Sequence, residues 1–163
     1  MTDKECIFCK IAGGEIPSST VYEDEDFRVI LDLGPASKGH ALILPKQHFK
    51  DLCELDPAIA AKALPLAGKI GAAMKKALGC TGFNVVQNNG EIAGQTVFHF
   101  HIHLIPRYKD DQQNLTWEQH NYEDDTMDEI DPRRTDAIGV WICTMRMKKW
   151  RFLKRFTEST WYR

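Results

Sequence analysis

Three histidines alternate with large apolar side chains over residues 97–105, which read VFHFHIHLI. Side chains two positions apart on a β-strand share a face, so the alternation predicts a strand that presents His99, His101 and His103 side by side. The opposite face is predicted to point into a hydrophobic core and consists of Phe98, Phe100, Ile102 and Leu104. A histidine row of this kind indicates either a metal cluster or a catalytic group.

The length of a strand limits how these histidines can act together. Because a strand rises ~3.3 Å per residue, His99 and His103 are expected to lie roughly 13 Å apart along the backbone. Zinc holds its nitrogen ligands at ~2.1 Å, so one ion cannot bind all three rings on a straight strand, and at least one ring remains for catalysis. Imidazole is nearly neutral at physiological pH, so one histidine can attack phosphorus while a neighbour transfers a proton.

Hydrogen-bond donors precede the histidine row and suit a phosphate group. The segments 88–90 (NNG) and 94–96 (GQT) supply amides, a hydroxyl and glycine-bearing backbone, which can stabilise an anionic transition state. The same residues also suit an ordinary turn. Asp32 comes after the strand residues 27–31 and can either accept hydrogen bonds from sugar hydroxyls or cap the next turn.

A small layered fold would bring these residues together. We predict a short helix at residues 6–12, strands at 21–23, 27–33, 40–44, 82–87 and 97–105, a helical turn at 116–119, and an alanine-rich helix from Asp56 to about Leu78. Asp56 is the predicted N-cap, Pro65 a site where the helix can kink, and Gly79 the stop. Mostly antiparallel strands with one long helix indicate an α+β fold.

The charge pattern predicts one domain followed by a different segment. Residues 1–130 contain 12 Lys and Arg against 20 Asp and Glu, a net charge of −8, whereas residues 131–163 contain 9 against 3, a net charge of +6. The second segment also holds three of the four tryptophans. We therefore place a boundary near Pro132. Since no apolar run approaches the ~20 residues of a membrane span and the N-terminus lacks a signal-peptide core, we expect a cytoplasmic protein.

The basic segment at residues 131–163 has two interpretations. Its apolar and basic side chains separate loosely on a helical wheel, which is compatible with contact to a membrane surface or a nucleic acid. The apolar set is Trp141, Met145, Phe152 and Phe156, and the basic set is Lys148, Lys149, Arg151 and Arg155. Because the change in composition is abrupt, we favour a divergent, poorly ordered extension.

Residues 99–105, HFHIHLI, carry a resemblance to a known family. The chain is similar to histidine triad (HIT) proteins, whose signature alternates three histidines with apolar residues and ends in two apolar residues. Further matching motifs are CIFCKI at 6–11, EIP at 15–17, KGH at 38–40, PKQH at 45–48 and GQT at 94–96. The resemblance covers about residues 4–110 and is strongest to the nucleoside phosphoramidase branch in its small, cysteine-bearing bacterial form.

The resemblance implies a homodimer with a sheet continuous across both subunits, and hydrolysis of purine nucleotides (AMP-like or GMP-like) at the α-phosphorus. His101 would be the nucleophile that becomes transiently nucleotidylated, and His103 would contact the phosphate and the leaving group. His40 and His99 would complete the surrounding network. The implied nucleotide contacts are Asp32 on the ribose, Phe8, Ile11, Ile30 and Leu33 around the base, and Asn88, Gln95 and Thr96 around the phosphate. Thr96 stands where members often have serine, and no organic cofactor is implied.

The close pair Cys6 and Cys9 suggests metal or redox chemistry, because a reducing compartment disfavours disulfides and the chain has an odd count of five cysteines. With His48 and His99, the pair offers two thiolates and two imidazoles, a complete tetrahedral set for structural zinc. The cysteine-bearing relatives imply zinc at these positions. If His99 binds zinc, His101 and His103 remain as the catalytic pair. Alternatively, the two cysteines are small apolar residues of the helix and His48 lies on the surface.

Two other functions remain open from the sequence. A dinucleoside polyphosphate hydrolase would use the same His101 chemistry with a longer leaving group, and residues 115–129 would help to choose, since C-terminal segments of the family border that group. A nucleotide-binding or zinc-binding interaction module would need no turnover at all.

Overall fold

The computed structural model describes residues 3–116 and 119–120, which contain one antiparallel sheet and two α-helices. The helices are α1 (Ile7–Gly13) and α2 (Pro57–Leu78). The strands are β1 (Thr20–Glu23), β2 (Phe27–Leu31), β3 (Ala41–Pro45), β4 (Gly82–Val86) and β5 (Ile102–Arg107), and a 3-10 turn spans Glu91–Ala93. The strand order is β1-β2-β3-β5-β4. The predicted α+β fold, with about five strands and one long helix, is confirmed.

Some of the sequence predictions lie outside the described residues. The boundary near Pro132 and the basic segment at 131–163 fall there, and so does part of the turn predicted at 116–119. Within the described part of the chain, no helix has both the length and the apolar character needed to cross a bilayer. A cytoplasmic location stays a prediction.

Strand β3 is buried along its whole length because both faces of the sheet are covered there. Ala41 and Ile43 belong to the larger core cluster, on the side of α2, whereas Leu42 and Leu44 pack with residues of α1. A strand covered on both faces reads as an unbroken apolar run instead of an alternating one. The sheet therefore separates two layers, and α1 lies on the face opposite α2.

Helix α2 begins and ends at the residues that the sequence predicts. The Asp56 side chain accepts a hydrogen bond from the Ala58 amide at 2.7 Å, and Pro57 occupies the first turn, where an N–H would have no helical partner. The helix stops at Gly79, whose φ of 69° lies in the left-handed region. Pro65 is accommodated inside a continuous helix of 22 residues.

The predicted strand at residues 97–105 is wrong for its first half. Strand β5 begins only at Ile102, and the residues before it lie outside the ladder. Their backbone is engaged elsewhere, since the Phe100 amide donates to the Phe49 carbonyl at 2.6 Å. Phe98, which was expected in the core, is instead 45% exposed, and Lys50 Nζ lies 5.7 Å from its ring centroid. The other predicted core positions of the row, Phe100, Ile102 and Leu104, are buried.

Replacing Gly71 by alanine should destabilise the fold, because a Cβ at this position would lie 2.2 Å from the Phe83 ring. Overpacking typically costs about 1–3 kcal/mol of unfolding free energy. The matched control is Gly68→Ala in the same helix, where a Cβ meets nothing within 4 Å. This control should gain up to about 1 kcal/mol from the better helix former. Urea unfolding compares the two variants, and equal stabilities would contradict the close packing of α2 on β4.

Candidate functional site

The histidines meet where the segment 99–103 runs beside the loop at 32–40. The His101 and His103 ring centroids are 4.9 Å apart, and those of His40 and His103 are 5.2 Å apart. His99, His101 and His40 are buried, whereas His103 is partly exposed. The structure thus brings together the histidines that the sequence singles out, although only His103 lies in a strand.

His101 presents one unprotonated ring nitrogen. Its Nδ1 lies 2.6 Å from the His99 carbonyl oxygen, which can only accept a hydrogen bond. The proton therefore sits on Nδ1, and Nε2 keeps its lone pair. Burial lowers the pKa of His101, so the ring is neutral at physiological pH. A neutral imidazole with a lone pair on Nε2 can act as a nucleophile.

His40 and His103 form a hydrogen-bonded pair whose proton positions follow from the backbone. The Ala36 amide donates to His40 Nδ1 at 3.1 Å, which leaves the proton of that ring on Nε2. His40 Nε2 donates in turn to His103 Nδ1 at 3.0 Å. The remaining proton of His103 therefore sits on Nε2, and this ring offers a donor where His101 offers a lone pair.

Asp32 lies at the edge of this pair. One carboxylate oxygen, Oδ2, is 3.6 Å from His40 Nδ1, and the other, Oδ1, accepts a hydrogen bond from the Gly34 amide at 2.8 Å. The Asp32 amide also donates to the His40 carbonyl at 3.0 Å, which fixes the carboxylate beside the histidines. The side chain is 21% exposed, so it can accept hydrogen bonds from hydroxyl groups of a ligand.

The loop at residues 88–97 is held by the side chain of Gln95, which is 1% exposed. Its Oε1 accepts from the Gly90 amide at 2.8 Å, while Nε2 donates to the carbonyls of Lys50 at 2.7 Å and Val97 at 3.1 Å. These contacts occupy the amide group, which favours a positioning role over direct contact with phosphate. Asn88 and Thr96 stay closer to solvent on the same loop.

Most of the residues implied for the base pocket lie between α1 and the sheet. Phe8 and Ile11 of α1 pack against a cluster that includes Ile30. The Phe8 ring meets the His101 ring edge to face, with centroids 5.1 Å apart, so this apolar surface adjoins the histidines. Leu33 differs from the other implied residues because its side chain is 98% exposed, and its place in the base pocket stays a prediction.

A second group of side chains gathers around Nδ1 of His99. The donor atoms of Cys6, Cys9, His48 and His99 all lie within 4.8 Å of one another. Cys9 Sγ is 3.3 Å from His48 Nδ1 and 3.5 Å from His99 Nδ1, and Cys6 Sγ is 3.6 Å from His99 Nδ1. Sulfur and nitrogen ligands of a tetrahedral zinc lie roughly 3.3–3.8 Å apart, so the spacing fits that ion.

The protonation of the four groups also suits a metal. His99 Nε2 donates to the Pro45 carbonyl at 3.0 Å, which leaves the Nδ1 lone pair facing the thiols. Burial lowers the pKa of His99 to about 4, so the imidazole is neutral, as a ligand must be. Burial raises the pKa of the Cys9 thiol, and a bound cation would favour the thiolate instead.

Asp32, His40 and His103 also gather their donor atoms within 4.8 Å. Hydrogen bonds already engage both ring nitrogens of His40, however, so this group suits proton transfer better than metal binding.

Comparison with known proteins identifies the family. A family profile described as HIT domain matches residues 13–110. The chain is a member of the HIT domain family. It is 43% identical over 118 residues to the Protein hit of Bacillus subtilis, covering 72% of this chain and 81% of that protein. It is 46% identical over 102 residues to the adenosine 5'-monophosphoramidase hnt1 of Schizosaccharomyces pombe, covering 63% of this chain and 74% of that protein.

A solved structure of a Zn-bound histidine triad family protein from Mycobacterium smegmatis superposes on this HIT domain with a TM-score of 0.65 and 37% sequence identity. The match covers 71% of this chain and 84% of that one. That structure and this one share the fold, and that relative binds zinc.

The groups that sequence analysis missed are main-chain groups. The carbonyls of Pro45 and Lys50 and the amide of Ala36 hold His99, Gln95 and His40. Every residue except proline carries both a carbonyl and an amide, so residue type gives no signal for these contacts.

Acidification should destabilise the folded HIT domain through His103. Burial, with the neighbouring His101 and His40, lowers the pKa of His103 to about 4, although Asp32 acts in the opposite direction. A free histidine has a pKa of 6.5, so the neutral ring contributes stability above pH 6.5 that is lost as the pH falls towards 4. Between pH 7 and pH 5 the loss should be about 2 kcal/mol. Urea unfolding of wild type and His103→Asn at both pH values measures this loss of unfolding free energy. The wild type should lose more than the variant, and an equal loss in both proteins would contradict the role of His103.

Proposed function

We propose that this chain hydrolyses a purine nucleoside 5'-phosphoramidate or acyl-nucleotide through a nucleotidyl intermediate on His101. The proton positions on two neighbouring rings support this reaction most directly. His101 carries a lone pair on Nε2, His103 carries a proton on Nε2, and the two ring centroids are 4.9 Å apart. Membership of the HIT domain family is in keeping with a nucleotide substrate, and one relative is named adenosine 5'-monophosphoramidase.

Two displacements at phosphorus account for the proposed reaction. First, His101 Nε2 attacks the α-phosphorus, and the bond from phosphorus to the leaving group breaks. Water then attacks the same phosphorus, and the bond to Nε2 breaks. The net reaction consumes one water, releases a nucleoside monophosphate and an amine or acid, and returns His101 to its starting state.

The hydrogen-bonded pair of His40 and His103 donates the proton that the leaving group requires. An anionic phosphate favours the protonated form of nearby imidazoles, so binding of the nucleotide adds a proton to this pair beside Asp32. That proton passes through His103 to the leaving group. Attack by water then returns one proton to the pair, which balances the cycle.

Residues around the histidines would bind the nucleotide. Phe8, Ile11 and Ile30 form an apolar surface next to His101 that suits a purine base. Asp32 would accept hydrogen bonds from the ribose hydroxyls, while Asn88 and Thr96 would contact the phosphate. Gln95 would act indirectly, because its buried amide fixes the loop that carries them.

Relatives named adenosine 5'-monophosphoramidase favour a phosphoramidate over a dinucleoside polyphosphate as the substrate. A non-catalytic module is a weaker candidate, since such a module would not require the complementary proton positions on His101 and His103.

Cys6, Cys9, His48 and His99 would hold a structural zinc ion with no open coordination position. The spacing and the lone pair on His99 Nδ1 support this assignment, as does a zinc-bound relative. Zinc would cross-link α1 to the segments that carry His48 and His99.

The homodimer implied by the resemblance is also a proposal. Strand β4 is an edge of the sheet, and its Val85 side chain is 44% exposed, so a second copy could extend the sheet there. Light scattering of the full chain should give twice the mass of one chain, and a single-chain mass would contradict it.

Brief mixing with adenosine 5'-phosphoramidate should add one adenylyl mass to the wild-type chain. His101→Asn should form no adduct and lose turnover by at least about 100-fold, because the nucleophile is gone. His103→Asn should still form the adduct, but more slowly. Quenched intact-mass spectrometry and peptide mapping measure both effects. Turnover that survives in His101→Asn would refute the covalent mechanism.

Protein purified without chelator should contain about one zinc per chain. Cys6→Ser should lower this content, whereas Cys53→Ser, at an exposed cysteine outside the cluster, should retain it. Elemental analysis of the three proteins measures the ratio. A folded wild-type chain that binds no zinc even when zinc is supplied would exclude the metal site.

A further inference from the structure

Residue 99 belongs to the metal cluster through its side chain and to the catalytic row through its backbone. His99 Nδ1 lies 3.5 Å from Cys9 Sγ and 3.6 Å from Cys6 Sγ. The carbonyl oxygen of the same residue accepts the proton of His101 Nδ1 at 2.6 Å. The imidazole that faces the thiols and the carbonyl that orients the His101 ring therefore belong to one residue.

Helix α1 makes a second connection between the cluster and His101. Cys6 and Cys9 flank Phe8, whose ring centroid lies 5.1 Å from that of His101 and 6.1 Å from that of His99. The C-terminal end of α1 is anchored separately, because Arg28 donates to the Ile11 carbonyl at 2.7 Å. The Cys6 N-cap makes no side-chain capping bond, and the first turn reaches the histidine segment through the thiols.

We infer that filling the Cys6, Cys9, His48 and His99 cluster positions His101 for attack on the nucleotide, so that metal occupancy regulates the reactivity of the active site. This inference rests on the proposed function. His99 acts as the positioning residue: its ligated side chain holds its own carbonyl against His101, while the ligated cysteines hold Phe8 against the His101 ring. Binding of the purine base should depend on occupancy as well, because Phe8 adjoins the implied base pocket.

Removing a metal ligand should therefore slow the reaction of His101, although the His101 side chain itself is unchanged. Cys6→Ser and His48→Ala each delete one ligand from a different part of the chain, and both side chains lie outside the contacts described for His101. Misplacing a reactive group by about 1 Å can reduce its rate 100-fold, and loss of an orienting partner typically costs about 10–100-fold. We expect both variants to form the adenylyl adduct about 10–100-fold more slowly than wild type.

Two readouts separate this coupling from a general loss of activity. The ¹⁵N chemical shifts of the His101 ring should show the single Nδ1–H tautomer in zinc-loaded wild type and a mixture of tautomers in both ligand variants. Calorimetric titration with AMP should show weaker binding to the variants. Cys53→Ser is the matched control and should behave as wild type in adduct rate, ring shifts and AMP affinity.

Chelator-treated wild type, checked by circular dichroism, repeats the test without a substitution, and returning zinc should restore the adduct rate and the single tautomer. If zinc-loaded wild type forms no adduct, the proposed function is wrong. If the loaded protein forms the adduct, but the chelated protein and both variants match it in rate and tautomer, the function stands and the coupling is overturned.

Discussion

Main-chain groups hold three of the imidazole rings of this site, each through one ring nitrogen. The carbonyls of His99 and Pro45 accept hydrogen bonds from His101 and His99, and the Ala36 amide donates to His40. Because a carbonyl can only accept and an amide can only donate, each contact decides which nitrogen carries the proton. Chemically similar rings thereby acquire different properties: His101 keeps its lone pair on Nε2, whereas His99 keeps its lone pair on Nδ1, beside the thiols.

The two faces of the sheet have different roles: one carries the larger hydrophobic core, and the other carries the candidate site. Helix α2 covers one face of the sheet and buries the larger core cluster there, including Phe27, Ile43 and Leu104. Among residues 3–116, the opposite face carries the short helix α1 and a smaller apolar cluster. Polar and metal-ligating side chains can therefore gather on that face, because the bulk of hydrophobic burial is provided elsewhere.

Local signals were sufficient for much of the fold. Helix α2 could be predicted because its cap at Asp56 and its stop at Gly79 act within one turn of the helix. The histidine row and the Cys6–Cys9 pair could be found from their spacing. The start of β5 could not, because the Phe49 carbonyl, distant in sequence, engages the Phe100 amide. The burial of Gln95 and the exposure of Leu33 likewise depend on loop paths that residue type does not specify.

The hydrogen bond from the Ala36 amide to His40 sets a constraint that side-chain mutagenesis would overlook. Most residues could replace Ala36, since each would bring the same N–H, yet proline would not, although Pro35 precedes it directly. An alanine scan cannot reveal the importance of a position that already holds alanine. The path of the backbone therefore specifies part of this candidate site, and an alignment that compares only side chains would show position 36 as variable.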